Sequence, residues 1–116
     1  MVAKITVAEG EFAGWRTYDT HGTFDQVGGR MHGGCLMTFA DIAMFQTAYQ
    51  EMEGASGVTV QLDSTFIDGA YVGELVEATG EVIRAGKSLI FVRGLIEADG
   101  WTLMTFSGVI RKFEKR

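Results

Sequence analysis

Cys35-Leu-Met-Thr-Phe-Ala-Asp-Ile-Ala-Met-Phe-Gln-Thr-Ala-Tyr-Gln-Glu-Met52 is the stretch whose periodicity decides the architecture. Leu36, Phe39, Ala40, Ala43, Met44 and Thr47 recur at spacings of three and four, which lays them along one buried stripe of a helix. No glycine interrupts the run, and Gly54 is placed to end it with a left-handed residue. Beyond it the period changes to two. Val58, Val60, Leu62, Ser64 and Phe66 fall on one face of a strand, and Thr59, Gln61, Asp63, Thr65 and Ile67 on the other. Residues 72–83 read as a second strand, and residues 89–97, apolar on both faces, as a central strand covered by the helix. Asp99-Gly100 is a tight-turn signal that returns the chain along residues 101–113. Upstream, residues 2–8 alternate weakly, and residues 9–34 read as a long loop packed through Phe12, Trp15, Tyr18 and Phe24. Strand, loop, one helix and four meandering strands predict an α+β fold. In it an antiparallel β-sheet wraps around one long central α-helix.

Composition bounds the function. The chain has 116 residues with 16 glycines, no proline and 47% apolar content, which argues against low-complexity disorder and for one domain over 1–116. A domain this small has no deep two-domain cleft, so a sizeable active site has to be completed by a second protomer. The single cysteine, Cys35, excludes an intrachain disulfide and a cysteine-built metal site. Residues 35–48 fall short of the ~20 apolar residues a membrane span needs, and the first residues carry no secretory signal. A cytoplasmic protein with no membrane partner is expected. The net charge of −5 argues against nucleic-acid binding. That charge is segregated. Residues 1–83 hold three basic and twelve acidic residues, and residues 84–116 hold seven basic and three acidic ones. The basic third either keeps an edge strand soluble or cradles an anionic ligand.

The chemistry concentrates just before the helix. Gly28, Gly29, Gly33 and Gly34 let a ligand approach the backbone where helix N–H groups are unpaired. Such an amide array, at the positive end of the helix dipole, can polarise a carbonyl or hold an oxyanion. The Lys-Ser/Thr ending of a phosphate loop is missing. Asp41, between Ala40 and Ile42, is the odd residue of an otherwise apolar run, either a buried cost or a purposeful carboxylate. Eight residues separate it from Gly33, about 12 Å along a helix axis. That is too far for both to serve one substrate atom within one chain, and a symmetric dimer resolves the conflict. Cys35, three residues after His32, is more readily a small buried hydrophobe than a nucleophile. His21, His32, Asp19 and Asp25 lack a compact metal-ligand spacing, so no metal is expected. Taken alone, Thr59 is an ordinary strand threonine.

Gln26, Gly29, His32-Gly33-Gly34 and Ala40-Asp41, followed by the strand Gly57-Val-Thr-Val-Gln-Leu62, resemble the hot-dog-fold acyl-CoA thioesterases of the phenylacetate-pathway (PaaI) type. Asp rather than Glu at position 41 favours that subgroup. The resemblance implies hydrolysis of an acyl- or aryl-CoA with no cofactor beyond the coenzyme A of the substrate. It implies a homodimer, paired further into a tetramer. The Gly33 N–H would bind the thioester oxygen, with Gln26 assisting, while His32 supports the loop. Asp41 of the opposing protomer would act as general base or nucleophile, and Thr59 would help hold the water. Under this reading Gly34, Arg84, Gly86, Lys87 and Ser88, with Arg111 and Lys112 beside them, meet the CoA moiety. Two rivals stand beside it. A hot-dog hydratase or dehydratase carries a His-Phe-Pro segment or an Asp…His pair, and this chain has no proline. A non-catalytic acyl-CoA-binding module would have no use for Asp41, Gln26 and Thr59 together.

Overall fold

A computed structural model describes residues 3–6, 31, 33–71 and 73–113. The elements are β1 (Ala3–Thr6), α1 (Gly33–Met52), β2 (Ser56–Phe66), β3 (Leu75–Ala85), β4 (Leu89–Ala98) and β5 (Trp101–Phe113). All strand pairs are antiparallel, in the order β1-β3-β4-β5-β2. The apolar run of residues 89–97 is thereby the centre of the sheet, as its two-faced hydrophobicity demanded. This is the hot-dog arrangement, a helix cradled by an antiparallel sheet.

The helix begins at Gly33, two residues before its apolar run. Leu36, Phe39, Ala40, Ala43 and Met44 are buried as the spacing implies, and Ala48 and Met52 continue the stripe. Thr47 is only partly buried; its hydroxyl donates to the Ala43 carbonyl at 2.8 Å. Opposite the helix stand Val76, Ala78, Ile90, Val92, Ile96 and Ile110, all fully buried. Burying each such side chain stabilises the fold by about 1.5–3 kcal/mol. Helix and sheet approach closely because β5 offers no side chain at Gly108. A Cβ there would run into the Met44 sulfur and lie 2.8 Å from the Gln61 carbonyl.

Turn chemistry follows the sequence closely at two places. Glu53 and Gly54 both adopt positive φ, 52° and 77°, and end the helix. Asp99 and Gly100, at φ 51° and 82°, close the β4–β5 hairpin with the paired left-handed residues such a turn needs. The strand expected from residue 72 instead starts at Leu75. Gly73 sits at φ 90° in a turn held by the Glu74 N–H on the Tyr71 carbonyl.

The simple alternation read for β2 does not hold along its whole length. A bulge lies between Thr59 and Gln61, with Thr59 opposite Ile110 and Leu62 opposite Gly108. Thr59 therefore shares the helix-facing side with Leu62, Ser64 and Phe66, and Val60 is the extra residue. A second bulge between Val82 and Arg84 in β3 sets Arg84 opposite Phe91.

Candidate active site

The helix N-terminus is fixed from outside. The Met31 N–H donates to the Ala70 carbonyl at 2.7 Å, which anchors the chain two residues before Gly33. Gly33 opens the helix, and the backbone N–H groups of a first turn have no intrahelical partner. The ring of Phe66 lies against it, 3.3 Å from where a Cβ would stand. Gly34 follows, its carbonyl accepting from the Thr38 hydroxyl at 3.0 Å. Gln26 and His32 lie outside the described residues.

Two turns along the helix, half-buried Asp41 meets the sheet. The Thr59 hydroxyl donates to Asp41 Oδ1 at 2.5 Å. The β2 bulge makes this possible, since unbroken alternation from Leu62 would point Thr59 away from the helix. A charge-assisted bond of this kind fixes the carboxylate's orientation, and among the described residues Oδ2 takes no hydrogen bond. Asp41 is thus half-buried and partnered by the Thr59 hydroxyl.

Cys35 is half-buried, and burial pushes its thiol pKa up. A raised pKa leaves less thiolate at neutral pH, the opposite of what a nucleophile needs.

Arg84, Gly86, Lys87 and Ser88 come together at the β3–β4 turn. They line one open depression of about 580 Å³ with Ile83, Leu89 and Phe91. The turn is held by the Gly86 N–H on the Leu89 carbonyl and the Lys112 N–H on the Ser88 carbonyl, both 2.7 Å. Arg111 pairs in register with Leu89, one of the lining residues. The Lys112 side chain does not join this group; its Nζ donates to the Glu51 carbonyl at 3.1 Å, where a cation complements the helix C-terminus. Across the sheet, Thr59, Ile110, Ile90 and Ala85 form one row. Three strand spacings of about 4.8 Å separate its ends, roughly 14 Å. Arg84 faces away from the helix, however, so in one chain the cationic depression and the Asp41–Thr59 pair lie on opposite faces.

The sequence reading missed Phe66 as a site neighbour and the bulge that aims Thr59. No glycine or proline marks Val60, so the residues carry no local signal for it.

A glycine-opened helix N-terminus with the Phe66 ring beside it, a carboxylate held by a hydroxyl two turns on, and a separate cationic depression stand together on one hot-dog domain. Residues 28–105 match the thioesterase superfamily, and the chain belongs to it. Mouse acyl-coenzyme A thioesterase 13 is 32% identical over 63 residues, which are 54% of this chain and 45% of that protein. The match thus spans about half the length of that relative. A Bacillus halodurans protein solved with CoA superposes with a TM-score of 0.66 at 28% identity, covering 72% of this chain and 56% of that one. The Escherichia coli PaaI protein from the phenylacetic acid degradation operon superposes with a TM-score of 0.65 at 24% identity, covering 72% and 60%.

Proposed function

We propose that the protein hydrolyses acyl-CoA thioesters, with Asp41 as the base and the Gly33 N–H as the carbonyl-binding group. The observation that carries this reading is the Thr59 hydroxyl on Asp41 Oδ1. It holds the carboxylate so that Oδ2 can take a proton from water. The water oxygen bonds to the thioester carbon, and the carbonyl electrons move onto an oxyanion held at Gly33. Collapse breaks the C–S bond, and the proton passes from Asp41 to the departing CoA sulfur. A thiolate leaves without strong acid help, so two groups suffice and no cofactor beyond the substrate's CoA is invoked. Direct attack by Asp41 would instead break the C–S bond, expel CoA as its thiolate and give an acyl-aspartyl anhydride. Water then opens the anhydride to the free acid and Asp41, its released proton going to the thiolate. On the resemblance, Gln26 is assigned to assist the Gly33 N–H at the carbonyl oxygen, and His32 to support the loop.

The CoA phosphates are assigned to Arg84, Lys87 and Ser88 around the Gly86 turn, with Gly34 at the acyl end. The 12 Å axial offset between Gly33 and Asp41, and the opposite faces of the carboxylate and the cations, support a site shared between protomers. The 11-residue edge strand β2, with Val58 and Val60 about half exposed, offers the pairing surface for a homodimer. Pairing of dimers into a tetramer and a cytoplasmic location complete the proposal; no helix among the described residues is long and apolar enough to cross a membrane.

The test is thiol release from a panel of aryl-, short-, medium- and long-chain acyl-CoAs. Turnover of at least one is expected, and none would refute the enzyme. Asp41→Asn is expected to lower kcat by about 10²–10⁴-fold while CoA-ester binding survives; an unchanged kcat would remove Asp41 from the chemistry.

A further inference from the structure

We propose that Phe66 sets acyl selectivity by walling off the space beside the Gly33 amide, an inference that rests on the thioesterase reading above. Phe66 ends β2 opposite fully buried Met104, and its backbone position is fixed by that pairing. The next two N–H groups, of Ile67 and Asp68, both donate to the Leu103 carbonyl, at 2.8 and 3.1 Å. The ring therefore stands on a rigid strand end.

Its Cε1 would lie 3.3 Å from a Cβ at Gly33, with Cζ at 3.6 Å. In a helix the Cα–Cβ direction tilts toward the N-terminus, and the first-turn N–H groups point the same way. The ring consequently lies beside Gly33, displaced toward the helix end at which the first-turn N–H groups are directed. Phe66 is nonetheless 48% exposed, although the residues around it on the helix-facing side pack inward. An apolar ring held half-open beside a carbonyl-binding amide is a wall for whatever that carbonyl carries. A thioester oxygen on the Gly33 N–H places the carbon next to the carbonyl against this ring. A straight chain can lie along the ring, whereas a branch at that carbon points into it.

The experiment compares propanoyl-CoA with 2-methylpropanoyl-CoA, which differ only in that branch. Hydrolysis (kcat/KM) and calorimetric dissociation constants are measured for the unmodified protein, Phe66→Leu and Phe66→Ala, with circular dichroism and light scattering on each. The unmodified protein is expected to prefer the straight ester about tenfold, the scale on which a pocket resolves one methyl group. Phe66→Ala is expected to bring the ratio near one, and Phe66→Leu to fall between. A ratio unchanged in a folded variant overturns the proposal, as does a loss of preference that appears only when the assembly dissociates. If Phe66→Ala does not fold, Phe66→Leu decides. Binding of both esters without hydrolysis of either overturns the thioesterase reading alone, because the dissociation-constant ratio still judges Phe66. Binding of neither ester overturns both.

Discussion

Thr59 and Asp41 meet through a single hydrogen bond between side chains 18 residues apart in sequence. Removing the hydroxyl leaves the carboxylate in place but free to turn, so the cost should appear in kcat rather than in stability. Thr59→Ala is expected to lower kcat about tenfold or more, the scale of a lost bond to a charged group. Thr59→Ser, which keeps the hydroxyl, should recover most of the rate; equal losses in both variants would make the threonine methyl, not the hydroxyl, the feature that matters. Asp41 was legible in the sequence because a carboxylate amid apolar residues conflicts with its surroundings. Thr59 was legible only through family resemblance, since a threonine in a strand conflicts with nothing.

At the level of elements, the helix and the Asp99-Gly100 hairpin were readable because local chemistry dictates them. A 3.6-residue apolar period fits only a helix, and two adjacent positive φ angles favour Asp-Gly. The strand bulges were not readable. Val60 and Ile83 are β-branched residues in good strand context, and the extra residue is forced by pairing with β5 and β4, information that lies elsewhere in the chain. The same non-local logic governs Gly108. Its missing side chain makes room for Met44, and Gly108→Ala is expected to destabilise by about 1–3 kcal/mol through overpacking. Thermal unfolding should register a drop in Tm of several degrees. An unchanged Tm would mean that the helix can shift away from β5 without cost.

Over the whole molecule, acidic and basic residues are sorted by position in the chain, and the fold gathers Arg84 and Lys87 at one turn. The proposed CoA contacts belong to this scale, because they depend on a depression shared by β3 and β4. Arg84→Ala and Lys87→Ala are each expected to raise KM several-fold with kcat unchanged. The increase should shrink at high salt, where phosphate–cation attraction is screened. A salt-independent KM would place the phosphates elsewhere.

The separation of Gly33 from Asp41 along one helix carries a further consequence for how the protein is regulated by its own abundance. If neither chain holds a whole site, catalysis has a mass-action component. Specific activity per chain should stay flat at high protein concentration and fall on dilution through the dissociation constant of the pair. Mixing an excess of Asp41→Asn chains with unmodified ones should redistribute the intact half-sites into hybrid pairs. Each hybrid would keep one working combination of amide and carboxylate. A dilution series that stays flat to the lowest measurable concentration, in a protein shown by light scattering to have become monomeric, would place the whole reaction within one chain.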